Sequence, residues 1–114
     1  MSRALVTRLC EALPGVEWSE PFGPGTDVWK VAGKIFAAIG ADNVGVSVKC
    51  PDLDTAEMLR DAGAATKAPY FHKTWVRVPF AAGDDEIAHR LRVSYDVIRA
   101  SLTKKAQATL PPAP

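Results

Sequence analysis

The chain reads as an α+β fold, a single-domain antiparallel β-sheet packed by helices in the order α-β(3-4)-α-β(1-2)-α. Two observations carry this reading. Between Asp27 and Lys49 three short runs rich in β-branched and aromatic residues follow one another, Val28–Val31, Lys34–Ile39 and Val44–Lys49, and that is the composition of strands. Towards both ends the apolar residues recur every three or four positions instead, which is the spacing of helices. With 114 residues, 47% hydrophobic and 24% charged, the chain can bury one core of its own.

Taken in order, Ser2 can cap a first helix running through Leu13, with Leu5, Leu9, Leu13 and Val6 on one stripe, and Pro14-Gly15 ends it. Val16–Glu20 reads as a short edge strand, and Pro21–Thr26 as a loop. The glycines of that loop lack the spacing of a phosphate-binding motif and precede a strand rather than a helix, so they do not predict a phosphate cradle. Ala32-Gly33 supplies the tight hairpin turn, and Asp42-Asn43 a second turn before the third strand. In that strand Val44, Val46 and Val48 share one face and Gly45, Ser47 and Lys49 the other. One face is core, and the other is left for water or a partner.

Cys50-Pro51-Asp52 interrupts the strand, and a second helix is predicted from Asp54 to Ala62, turning Ala56, Leu59 and Met58 inward and stopping at Gly63. Thr66–Ala68 pairs briefly, Pro69-Tyr70-Phe71-His72-Lys73 forms a loop, and Thr74–Val78 is a strand ended by Pro79. Its alternation puts Thr74, Val76 and Val78 on one face and Trp75 and Arg77 on the other. The last and longest helix opens at Gly83-Asp84-Asp85-Glu86, carries Ile87, Leu91, Ile98 and Leu102 on its stripe with Tyr95 and Val97 at the margins, and ends at Lys104-Lys105, each charge suiting its end of the helix dipole. The domain thus spans residues 1–105, and residues 106–114, closing Pro111-Pro112-Ala113-Pro114, are expected to be a mobile tail with almost nothing to bury.

Composition narrows the functional classes. No apolar run reaches the roughly 20 residues of a membrane span, and the start meets Arg8 and Glu11 too soon for a secretory signal, so no membrane role and a cytoplasmic location are expected. Cys10 and Cys50 have no C-x-x-C spacing and no histidines around them, which predicts reduced core thiols rather than a disulfide or metal site. The net charge of +1 divides unevenly, with six Lys/Arg against nine Asp/Glu in residues 1–61 and eight against four in residues 62–114. The later half is mildly basic.

The sharpest candidate surface lies in that half. Trp75 and Arg77 share a face, and the surface combines them with Lys73, His72 and Lys49, and extends to Lys30 and Lys34 if these lie on the same side of the sheet. An exposed aromatic ring among cations can stack on a base while the cations hold phosphates. Catalysis finds no such constellation: His72 has no acidic orienter and no nucleophile near it in sequence, His89 stands four residues after Asp85 on a helix, and Glu17 and Glu20 read as solvated edge-strand acids. No catalytic residue, metal or cofactor is expected, and the number of subunits is not encoded in any pattern here, although an exposed Val16–Ser19 edge is able to pair with another chain.

Several short motifs carry a family likeness. Leu13-Pro14-Gly15-Val16, Pro21-Phe22-Gly23-Pro24, Val28 to Ala37, Val46 to Cys50, Pro69-Tyr70, Trp75-Val76-Arg77-Val78 and Ser94 to Ile98, in this order and spacing, resemble the MmcQ/YjbR family over residues 3–105. The resemblance implies a small domain with helices on one side of an antiparallel sheet, a frataxin-like arrangement, and DNA binding through two wing-like β segments. It implies no catalytic residues. The expectation is therefore a weak, non-specific nucleic-acid (DNA) binding protein using Lys49, His72, Lys73, Trp75 and Arg77. The alternative is a non-enzymatic module binding a protein partner or small ligand at the apolar loop Pro69-Tyr70-Phe71.

Overall fold

A computed structural model describes residues 2–112. Helix α1 (Ser2–Glu11) leads into β1 (Val16–Ser19), β2 (Asp27–Val31), β3 (Lys34–Ile39) and β4 (Gly45–Lys49); α2 (Leu53–Asp61), β5 (Thr66–Lys67) and β6 (Trp75–Pro79) follow, then α3 (Asp84–Ser101) and α4 (Lys104–Ala108). The strands form one antiparallel sheet in the order β1-β2-β3-β4-β6-β5. Both turn expectations are met by backbone geometry: Ala32 and Gly33 stand at φ 48° and 82°, and Asn43 at φ 57°, which matches the positive φ that such turns demand.

The pleat divides the sheet into two faces. Val46 and Val48 lie opposite Val78 and Val76, and all four are buried with Ile39, Trp29 and Val31 in one cluster that takes in Val6 and Cys10 of α1, Ala56 and Leu59 of α2, and Ile87, Leu91, Tyr95 and Ile98 of α3. The axis of α1 is thus Val6 and Cys10, with Leu5, Leu9 and Leu13 only half-buried beside it. On α3 Tyr95 is central rather than marginal, its ring meeting Phe36 edge-on at 5.4 Å. Met58 points outward, and Val44 precedes the strand and is exposed.

One irregularity fixes where α3 sits. Trp29 pairs with Ala37 and Lys30 with Ile35, so Phe36 is an extra residue that bulges β3. Beyond it the β3–β4 ladder stops. The Ser94 hydroxyl of α3 fills the gap, donating to the Phe36 carbonyl oxygen at 2.6 Å while accepting from the Lys49 amide at 2.9 Å. A fully buried serine is therefore a piece of the sheet supplied by a helix. Gly45, by contrast, is required by proximity: a Cβ there would lie 2.4 Å from the Val78 carbonyl oxygen.

At the start of α2, Asp52 accepts from the Thr55 amide at 2.7 Å, and hydrogen bonds from Thr55 hold its carboxyl below the usual range. The C-terminal residues depart from expectation. Leu102 is extended and ends α3, so Lys104-Lys105 open a new helix capped by Thr103 instead of closing the old one. The segment from Ala106 to Pro112 is structured: Leu110 packs on the core against Gly15, where a Cβ would meet it at 2.5 Å, and Arg99 joins the Tyr95 hydroxyl to the Pro111 carbonyl, while Tyr95 donates to the Pro14 carbonyl at 2.7 Å. The proline-rich composition conceals this because one leucine supplies most of the apolar contact. Residues 113 and 114 lie outside the described region.

Candidate functional site

The face away from the helices is a groove. A transverse row, Val28–Ala38–Ser47–Arg77, runs across four strands as its floor, and Ile35 extends it. Loops make the walls: Phe22 and Thr26 between β1 and β2, Gly40 to Asp42 between β3 and β4, and Pro69 to Phe71 between β5 and β6. Among the described residues no helical one lines it. The space is about 850 Å³, within the range of small-molecule sites.

Two aromatic rings stand on its rim uncovered. Phe22 is 72% exposed, and Tyr70 is fully exposed at φ 68°, a backbone conformation that costs a non-glycine residue roughly 1–2 kcal/mol. The loop holds it there through bonds of its neighbours: the Phe71 amide donates to the Ala68 carbonyl, the Trp75 amide to the His72 carbonyl, and Arg60 of α2 to the carbonyls of Lys73 and Trp75. The other wall is fixed from the far side of the sheet. Arg3 of α1 donates to Asp27, to Asn43 Oδ1, and to the carbonyls of Gly25 and Gly40, binding the β1–β2 and β3–β4 loops to one guanidinium.

The residues expected to form the site divide. Arg77 lines the groove and its Nη1 meets Asp42 Oδ2 at 3.1 Å. Lys49, His72 and Thr74 form a chain in which Lys49 Nζ donates to Thr74 Oγ1 at 2.7 Å, and His72 Nδ1 lies 3.0 Å from the same oxygen. Nδ1 also accepts from the Thr74 amide at 3.2 Å. Lys73 is exposed in the loop. Trp75 corrects the sequence reading: it is only 8% exposed, because Phe71 stacks on it at 4.2 Å and 20°, so its ring is not offered to a base. Lys30 shares the groove face through its pairing with Ile35, whereas Lys34 pairs with Val31 on the helical face. Sequence reasoning missed Phe22 and Asp42 as site residues and placed Tyr70 only in the alternative reading of the Pro69-Tyr70-Phe71 loop; the signal for Phe22 was an apolar ring isolated among prolines and glycines.

Burial disfavours the thiolate at both cysteines. Burial, with Glu11 adding to it, pushes Cys10 up to about 12, and burial raises Cys50 against the opposing pull of Arg90 and Arg60. Among the described residues no group of three or more His, Cys, Asp or Glu can hold a metal ion, and no helix is long and apolar enough to cross a membrane.

The YjbR family profile matches residues 11–97. The chain belongs to the YjbR family. A crystal structure of the Deinococcus radiodurans protein DR2400, with a domain described as DUF419, superposes with a TM-score of 0.81 at 24% identity, covering 91% of this chain and 83% of that one. At that identity the likeness concerns the fold alone, which this YjbR-family chain shares. Among curated proteins none matches it.

Proposed function

We propose that this YjbR-family chain is a non-enzymatic nucleic-acid-binding protein that takes single-stranded DNA or RNA weakly, and without sequence preference, in the groove on the open face of its sheet. The observation that carries the reading is Tyr70, a fully exposed ring held at positive φ on the rim of an apolar floor, with Phe22 on the same groove and Arg77 inside it. Strain kept at an exposed aromatic is a pointer to use. Stacking on such rings is worth about 1–3 kcal/mol per base, and any base can supply it. A duplex already spends its base faces on its own stack, so single strands are preferred.

Few cations reach the groove face among the described residues: Arg77 lines it, and Lys30 shares the face through its pairing with Ile35. With one or two phosphates neutralised, log affinity falls with log salt at a slope of only about −1, since each contributes roughly −0.7 on a single strand. The test is fluorescence anisotropy of a labelled oligothymidylate and of a duplex at two salt concentrations. Micromolar binding of the single strand, shallow in salt and weakened about tenfold by Tyr70→Ala, is expected. Absence of binding at low salt defeats the reading. A second reading, a pocket for a small planar apolar ligand, is favoured by the groove's volume and chiefly apolar lining; it predicts capture of an uncharged aromatic probe with no dependence on salt.

A further inference from the structure

We propose that Arg77 and Ser47 form a phosphate subsite on the groove floor, and that the Asp42 carboxylate occupies it as an internal substitute which the phosphate of a bound nucleotide displaces. The inference rests on the reading above and adds the polar end of the same site. Arg77 and Asp42 are the only charged residues lining the groove among those described. The Arg77 side chain is 25% exposed and rises from a floor whose other members are Val28, Ala38, Ile35 and the uncharged Ser47, so its cation needs a partner there.

Asp42 is a poor one. Among the described residues its side chain makes a single hydrogen bond, from Arg77 Nη1 to Oδ2 at 3.1 Å; that side chain is 55% exposed, and it belongs to a turn whose residues Gly40 to Asn43 are all exposed. A guanidinium offers five donors in a planar fork, and among the described residues this one spends only one of them. A phosphate can take two at once, the stronger arrangement. Ser47 supplies an independent observation. It sits directly opposite Arg77 on β4, is 6% exposed, lines the groove, and its hydroxyl makes no hydrogen bond among the described residues. A hydroxyl that opens on the groove with no partner among the described residues, beside a cation with unspent donors, is the chemistry of an anion site. The apolar floor and the Tyr70 ring then receive the planar base carried by that phosphate. A free mononucleotide and one unit of a strand present the same groups.

Calorimetric titration of the full chain at low salt with thymidine monophosphate, with thymidine, and with oligothymidylate tests this. Asp42→Asn is expected to bind thymidine monophosphate up to about fivefold tighter, the ceiling for an exposed ion pair, and Ser47→Ala to bind it more weakly. Glu57→Gln, which makes the same change in net charge on the exposed face of α2, leaves affinity unaltered, and thymidine is indifferent to Asp42→Asn. Equal affinity of Asp42→Asn and the unmodified chain for thymidine monophosphate overturns the subsite. Oligothymidylate binding that Tyr70→Ala weakens but Asp42→Asn and Ser47→Ala do not touch likewise overturns it and leaves the stacking groove standing. Thymidine monophosphate binding enhanced in Asp42→Asn, with oligothymidylate bound by no variant, upholds the subsite and defeats the nucleic-acid reading. Failure of every probe with every variant overturns both.

Discussion

The two faces of the sheet are built on opposite terms. On the helical face, side chains are spent on one another: Phe36 meets Tyr95, the Ser94 hydroxyl completes an interrupted ladder, and Tyr95 and Arg99 secure Pro14 and Pro111. Among the described residues the Trp29 indole nitrogen is the one buried side-chain polar atom left without a partner. On the groove face, Tyr70 and Phe22 stay uncovered, Ser47 is unspent, and the Arg77–Asp42 ion pair of the lining is half in water. Stability therefore resides on the first face, and the second retains groups with something left to bind.

Substitutions can break this contrast or sharpen it. The largest effect is expected from Phe36→Ala, which empties the contact of the bulge with α3; a loss of about 3–5 kcal/mol in urea denaturation is the ordinary cost of such a core cavity, and a loss under 1 kcal/mol refutes the placement of the core. Ser94→Ala comes next. It leaves the Phe36 carbonyl and the Lys49 amide unpaired in a dry interior, at about 1–3 kcal/mol, and hydrogen exchange of the Lys49 amide should quicken selectively. The smallest change belongs to the other face. Tyr70→Gly relieves a left-handed backbone and should be neutral or stabilising by up to about 1 kcal/mol, while abolishing whatever the ring binds; measurable destabilisation would make Tyr70 a structural residue after all.

Much of the fold was legible in the sequence because short-range chemistry decides it. β-Branched runs, the Ala32-Gly33 turn and the apolar stripe of α3 place strands, hairpin and longest helix from neighbours a few residues away. Where the deciding contact is distant, the sequence misleads. Trp75 looks exposed by alternation, yet Phe71 folds over it; the last residues look unstructured, yet Leu110 finds Gly15 almost a hundred positions earlier. The site follows the same division. Alternation alone set Ser47 and Arg77 each off the valine face of its own strand, and the register brings the two side by side. That Asp42 reaches Arg77 from a turn, that Arg3 holds two loops from behind, and that Phe22 and Tyr70 stand on one groove were decided only when strands distant in sequence became neighbours in the sheet. Side-chain periodicity is a local property of the backbone, whereas burial and pairing belong to whatever the fold brings alongside.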